Sequence, residues 1–517
     1  MNRVKEVQKR FDELTAELSA HGTLRHPNSL LDRAAELWPS RTALVCEDKS
    51  LTFKQLRARA AFLAGRLIRE WQIEPGSRVL LLYENSIDFY IGYHAAWMAG
   101  AIVVPLNTFL NERELTHIIA DADPKLIITS PLHCAKFSAY AGMATICESL
   151  LDLTQPAEQI PLSFVPHQPD ISACTLLLYT SGTTGLPKGV MLSGEAIMTN
   201  CMQVVSNFDI SAQERFYAAL PLFHSYMQNV SIWCALVVGA LVIVIPRISR
   251  PNLLRGLAQR PTILLGIPQL FGLFCMMKGV SFPDVKLFIS GGDAMSPAIK
   301  LAFELLFDRR IMNGYGLTET APLISANLEE WHAPTHCVGR PMVGIKVAIR
   351  AEGRDLASGQ IGTIWVTGKN LMLGYYNAPE ATAEVVQDGW FNTGDLGYLD
   401  QYGRLVIAGR EKDLIIHHGI KIYPQEVEGL LLQHPHVLMA AVVGAKSGKT
   451  EIPVAFIVPH GADENLEQEL KRQCQRQLAR YKIPQRFYLR KQLPQTATGK
   501  IDKKALRAEL AQEATSQ

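Results

Sequence analysis

The chain has no apolar run long enough to cross a bilayer, no CxxC pair, no low-complexity tract and no repeat of fixed period. The longest apolar stretch, Ile232 to Ile245, covers 14 residues and stops at Pro246-Arg247. A spanning helix needs about 20 residues, so this stretch predicts a buried helix and then a strand, broken at Gly239. The amino terminus carries no secretory apolar core. Nine cysteines, odd in number and scattered, fit free thiols in a reducing cytosol and exclude a zinc ribbon or a disulfide scaffold. Charge of one sign is also lacking. Lys+Arg 51 against Asp+Glu 49 leaves +2 over 517 residues, which gives no general affinity for nucleic acid. The expectation is a cytoplasmic protein without nucleic-acid partners.

What is present is enough apolar sequence, 48% of the chain, to fill several cores. Short β-branched or Leu-rich runs recur at Val79–Leu82, Ile102–Val104, Leu126–Thr129, Leu176–Tyr179, Thr262–Ile267 and Leu287–Ser290. Helical spacing lies between many of them, as in Ile197, Cys201, Val204, Val205 and Phe208. Alternation of this kind predicts an α/β fold of layered subdomains with mainly parallel strands. The prolines between Thr154 and Asp170 mark a non-helical connection. From about 340 to 409, glycines punctuate short alternating segments, which predicts a β-rich subdomain. Residues 410–517 carry 17 basic against 12 acidic side chains, and the preceding 1–409 carry 34 against 37. Two units follow: a large N-terminal domain, 1–409, and a small basic α+β domain, 410–517. At the amino end, Val4, Val7, Phe11, Leu14 and Leu18 are spaced as one seam of an amphipathic helix. That seam is expected on its own domain, with peripheral membrane contact as the alternative.

The most informative loop follows the Leu176–Tyr179 run. Thr180-Ser181-Gly182-Thr183-Thr184-Gly185-Leu186-Pro187-Lys188-Gly189 packs four hydroxyls, three glycines and a lysine into ten residues. Glycines let backbone N–H groups turn toward an anion, hydroxyls add donors, and lysine brings a mobile charge. The combination suits a polyphosphate, although the GxxxxGK[ST] pattern is absent.

YTSGTTGLPKG resembles the phosphate-binding signature of the adenylate-forming superfamily, which includes acyl-CoA synthetases, peptide-synthetase adenylation domains and luciferases. Further matches follow in the family's order: Pro221-Leu222-Phe223-His224, Gly291-Gly292-Asp293, Asn313-Gly314-Tyr315-Gly316-Leu317-Thr318-Glu319-Thr320, Asn392-Thr393-Gly394-Asp395, Gly409-Arg410-Glu411-Lys412-Asp413, and the segment Leu493 to Ile501. The likeness runs over nearly the whole chain and is nearest to bacterial long-chain fatty acyl-CoA synthetases.

The resemblance implies two half-reactions. A carboxylate attacks the α-phosphate of ATP, giving acyl-adenylate and pyrophosphate, and a thiol then displaces AMP. Anion approaches anion, so the site must neutralise charge and align the reactants. By resemblance, Lys500 bridges carboxylate and α-phosphate, and Thr180 to Gly185 with Lys188 cradle the phosphates. Glu319 and Thr184 hold Mg²⁺, and Thr318 contacts the α-phosphate. Tyr315 stacks on adenine, with Gly291, Gly292, Asp293, Asn313, Gly314 and Gly316 around the base. Asp395 and Arg410 hold the ribose, and His224 lies near the acyl carboxylate. Lys412 is the hinge about which a mobile C-terminal domain turns, and Gly419 opens the thiol tunnel.

Cofactors so implied are ATP and Mg²⁺, with coenzyme A as acceptor. The acid is expected to be fatty or otherwise apolar, because Ser225 to Trp233 contains no acidic residue to hold an amino group. The same uncharged, Met- and Trp-bearing wall suits an aryl ring as the alternative; some long-chain enzymes place a tryptophan four residues after the histidine, where Gln228 stands here, so the resemblance does not fix the chain length. The acid-free basic stretch from Lys471 to Lys491 suits either coenzyme A or an acyl carrier protein.

Overall fold

Apolar runs buried on both faces form the centres of two sheets. The structure is a computed structural model that describes residues 2–515, apart from 21, 23–25, 141, 156–165, 168, 181–185, 329–335, 449, 462–464 and 496–500. The proline-rich connection therefore lies largely outside the described residues, as do Ser181, Gly182, Thr183, Thr184, Gly185 and Lys500.

In the first sheet, Thr145–Cys147, Leu126–Thr129, Arg78–Leu82, Ile102–Pro105 and Cys174–Thr180 run parallel. Near-continuous burial of Val, Ile and Leu in these strands is what helices on both faces of a parallel sheet require. Cys174–Thr180 then turns back antiparallel into Lys188–Ser193, and Gly374–Tyr375 adds an antiparallel edge.

The second sheet holds Thr42–Cys46, Leu241–Val244, Arg215–Ala218, Ile263–Gly266, Leu287–Ser290 and Ile311–Gly316 in parallel. Helix, Gly239 break (φ 73°) and strand follow one another through Ala235–Val238 and Leu241–Val244, as the apolar run predicts. The β-rich region is not a separate sheet. Leu323–Ala326 and Cys337–Pro341 join it antiparallel, edge to edge, onto Ile311–Gly316, through pairs such as Gly314↔Ala326, Ser325↔Pro341 and Cys337↔Val406. A site at this junction is thus carried on one hydrogen-bonded surface.

The N-terminal seam is used internally. Helix Asn2–Ala20 buries Val7 and Leu18, and Phe11 and Leu14 pack on the same core. Arg10 meets Asp209 at 3.2 Å and Arg33 pairs with Glu17. Only Val4, 62% exposed, projects from the seam, so this helix offers no apolar face to a membrane. Among the described residues, no helix is long and apolar enough to cross one.

One cysteine expectation is corrected. Cys134 and Cys147 are joined in a disulfide, while seven other cysteines are free. The turn Pro131–Tyr140 folds back beside the edge strand Thr145–Cys147, a proximity that spacing does not reveal.

Beyond Arg410, the strands Val437–Ser447, Thr450–Pro459 and Arg486–Leu489 form a three-stranded sheet with helices Pro424–Leu431, Leu466–Gln477 and Lys503–Thr515. Two apolar clusters here draw every member from Ile415 onward. Asp413 reaches Arg507 at 2.7 Å, and Lys503 reaches Glu428 at 2.6 Å. Burial alone would raise the Asp413 carboxyl, yet Lys503 and Arg507 hold it below its ordinary value. A depressed folded value means the pairing stabilises above the unfolded carboxylate pKa and is lost as pH falls through the folded one. Arg507→Ala is therefore expected to move acid unfolding of this region to higher pH, at a neutral-pH cost on the order of 1 kcal/mol. Circular dichroism against pH checks this; an unchanged acid midpoint contradicts it.

Candidate active site

Thr180 and Lys188 are register partners at the mouth of the hydroxyl-glycine loop. The Lys188 ammonium lies 5.2 Å from the centre of the Tyr375 ring, and the Tyr375 hydroxyl donates to Glu319 Oε1 at 2.9 Å. One tyrosine on the edge strand therefore touches both the exit of the loop and the carboxylate expected to hold metal.

Glu319 sits on a 3₁₀ turn, Thr318–Thr320. Met372 N donates to the Glu319 carbonyl at 2.8 Å, and Asn370 Nδ2 donates to the Thr320 carbonyl at 2.7 Å. Gly316 makes this turn possible, since a Cβ there would stand 2.0 Å from the Pro322 carbonyl oxygen, which is backbone and has little freedom to yield. Burial pushes the Glu319 carboxyl above its ordinary value, partly opposed by the Tyr375 hydrogen bond. The described residues contain no group of three metal-ligating side chains. A cation at Glu319 would complete its shell from phosphate oxygens and water. That donor set fits Mg²⁺, which keeps several waters and needs only one or two protein carboxylates.

Around the same turn, Thr318 Oγ1 lies 3.3 Å from Ser225 Oγ. His224 caps the short helix Ser225–Gln228, its Nδ1 accepting from Tyr226 N at 3.3 Å. Tyr226 donates to the Ile289 carbonyl at 3.0 Å, and its ring lies directly beneath Gly291. Gly292 takes φ +80°, and Asp293 is exposed, with Oδ1 accepting from Ala294 N at 2.8 Å. Asn313 and Gly314 lie in the strand Ile311–Gly316, where Asn313 Nδ2 faces the Cys337 carbonyl at 3.4 Å.

Tyr315 donates to Asp395 Oδ2 at 2.8 Å, and Arg410 Nε lies 3.3 Å from Asp395 Oδ1. Asp395 and Arg410 are cross-strand partners. Burial and the neighbouring Asp395 push the Tyr315 phenol far above its ordinary range, so it stays a hydrogen-bond donor. A buried carboxylate flanked by a fixed donor and a cation suits a vicinal diol, which offers two hydroxyl donors.

The structure thus brings together Lys188, Glu319, Thr318, His224, Tyr315, Asp395 and Arg410 around one junction. Lys412 is exposed on the turn Glu411–Asp413, immediately past that junction. Gly419 lies apart, in a two-residue hairpin turn with His418, where φ is +48° and +81°. This is the type I′ geometry that requires left-handed residues, and a Cβ on Gly419 would meet nothing within 4 Å. The His417 and His418 ring centres lie 4.6 Å apart, because His418 has already left the strand that ends at His417. Gln495 and Ile501, on either side of the segment containing Lys500, form an antiparallel bridge.

Sequence reasoning missed Tyr375 and Ser225. Tyr375 lies far from Glu319 in the chain, and only the pairing of its strand with Lys188–Ser193 reveals the contact. Ser225 directly follows His224, a cue that was available.

The AMP-binding enzyme family model matches residues 31–376, and that of the AMP-binding enzyme C-terminal domain matches residues 426–500. The chain belongs to the AMP-binding enzyme family. Relatives of similar length include a 2-succinylbenzoate–CoA ligase of Bacillus velezensis, 31% identical over 92% of this chain and 96% of its own. A long-chain-fatty-acid–CoA ligase of Bacillus subtilis is also 31% identical, over 94% of each chain. Among solved structures, an anthranilate CoA ligase in complex with anthranoyl-AMP superposes with TM-score 0.88 at 25% identity, covering 95% of this chain and 98% of that one. The o-succinylbenzoate coenzyme A synthetase of Bacillus subtilis with ATP and magnesium ion gives 0.83 at 29%, covering 93% and 99%. This family member has the fold expected from its sequence, a large α/β domain with a small C-terminal one.

Proposed function

We propose that this acid–thiol ligase of the acyl-CoA synthetase type works on a compact, apolar, ring-bearing carboxylic acid. It proceeds through an acyl-adenylate, with ATP, Mg²⁺ and coenzyme A as its cofactors. The observation that carries the substrate class is the wall behind His224. Gln228 is fully buried, accepts from the Tyr93 hydroxyl at 3.1 Å and donates to the Phe223 carbonyl at 2.9 Å. The Trp233 indole N–H donates to the same Tyr93 oxygen at 3.2 Å. A long linear chain passing this wall would have to break that buried network, and each orphaned polar group costs about 1–3 kcal/mol. No charged side chain occurs from Ser225 to Trp233. Named relatives act on ring-bearing acids, 2-succinylbenzoate among them. A fatty acid remains the second reading, favoured by the long-chain relative.

The roles proposed for the site residues join the described contacts to the family resemblance. Asp395, with Tyr315 and Arg410, holds the ribose hydroxyls, while Gly292 and Asp293 border the base. Thr318 and Ser225 present hydroxyls to the α-phosphate region. Glu319, with Thr184, would hold Mg²⁺, which would supply positive charge to the phosphate oxygens. Lys500 brings the two anions together, supplied by a C-terminal unit, 410–517, that turns about Lys412. Gly419 lines the thiol path in the second arrangement. Arg472, Arg476 and Arg480, exposed and spaced by four, remain for an acceptor phosphate. By contrast, Lys471, Lys482 and Arg490 are paired with Glu467, Glu426 and Glu509.

The test is acid-dependent ATP–pyrophosphate exchange, with thioester detection by mass, across aliphatic acids of increasing length and aryl acids. Turnover should peak with aryl or short branched acids. A maximum at palmitate or longer refutes the compact-acid reading, and a product formed only with a carrier-protein thiol refutes coenzyme A as acceptor.

A further inference from the structure

Helices Pro268–Met276 and Pro297–Phe307 lie side by side on the second sheet. Gly272 faces Ile299, and the Phe271 and Phe303 rings meet at 5.3 Å. Phe282 joins their C-terminal ends, touching Phe274 at 5.3 Å and Phe307 at 5.0 Å. In the second helix Phe303 is the one fully buried residue, while Leu301, Leu305 and Leu306 are 58%, 75% and 60% exposed. Met276, 73% exposed, emerges at the same end of the pair. Three leucines and a methionine turned to solvent on adjoining helices are more than scattered surface residues, and such a patch marks a contact.

The surroundings select the contact. Lys278 and Arg309 are exposed just beyond the two helix ends, and the Arg250 guanidinium reaches the Lys278 carbonyl at 3.3 Å. Lys300 lies within the second helix. The acidic residues there are Glu304 and Asp308, whereas Asp284 is already paired with Arg260 and Arg215. Basic charge therefore rims an apolar patch. A two-fold contact with a second copy would set this basic rim against itself. An anionic bilayer supplies an acyl phase for the leucines and phosphates for the rim.

We propose that this face, and not the N-terminal helix, docks the enzyme on anionic lipid surfaces. Flotation without ATP, acid or coenzyme A tests it, so its outcome is independent of the substrate reading. Native protein should float with phosphatidylcholine vesicles carrying about a quarter phosphatidylglycerol, and at least about tenfold less with phosphatidylcholine alone. The double variant Leu305→Glu/Leu306→Glu should lose at least about tenfold of the anionic binding, while keeping its melting temperature and its pyrophosphate exchange with a water-soluble acid. Lys278→Glu/Arg309→Glu should weaken binding to anionic vesicles only. Absence of native binding, or undiminished binding by the leucine variant, overturns the proposal. So does a native dimer, seen by light scattering, that the leucine variant dissociates, since the face then belongs to a second copy.

Discussion

Lys500→Ala should lower acyl-adenylate formation by about 10²–10³-fold, the usual loss for one preorganised donor at a developing charge. ATP affinity changes little, because the base, ribose and phosphate contacts proposed above come mainly from other residues. Synthetic acyl-adenylate with coenzyme A should still give thioester at close to the native rate. The comparison is a rapid-quench measurement of each half-reaction. Equal losses in both halves would mean that Lys500 supports the fold or the thiol step, and the assigned role would fall. Arginine at this position should rescue poorly, since a planar fork does not replace a compact ammonium.

Glu319→Gln separates function from stability in opposite directions. The amide oxygen still accepts from Tyr375, so the turn is retained while the charge is removed. Magnesium-dependent exchange should fall by about 10²-fold or more, and Mn²⁺ bound to the protein–ATP complex, read by electron paramagnetic resonance, should weaken. Stability moves the other way. Burial raises the Glu319 carboxyl above its ordinary value, so at neutral pH the ionised side chain destabilises the empty fold, and a neutral isostere relieves this. A melting temperature equal to or above native is expected. A clear drop in melting temperature would show that the carboxylate serves structure and not metal.

How far the site could be read beforehand follows from what each motif carries. Apolar runs located the strands of both α/β layers nearly to the residue, as Leu126–Thr129 and Leu287–Ser290 show. Burial on both faces leaves few alternatives for such short segments. Ordered motifs gathered Glu319, Asp395 and Arg410 into one place because each is anchored to a turn or a strand end. Contacts between distant segments were not legible. Tyr375 with Glu319, Cys134 with Cys147, and the union of the β-rich region with the second sheet all depend on how loops return. At the amino terminus the expected docking on its own domain is what the structure shows, against the flank of Gly194–Phe208, although an amphipathic seam by itself fits a membrane as well. The apolar face at Leu301–Leu306 escaped notice, because a leucine-rich helix reads as core until its neighbours are known.

Arg410 ends the strand Leu405–Arg410, fixed across from Asp395 in the extended sheet, and Lys412 begins only two residues later. If Asp395 and Arg410 hold the ribose and the tail turns about Lys412, as proposed, its swing would pivot beyond this clamp and leave the sugar grip stationary. The leaving nucleotide would then stay seated while the second substrate arrives, so its escape becomes a separate event, timed by rupture of the contacts at Asp395 and not by the swing itself.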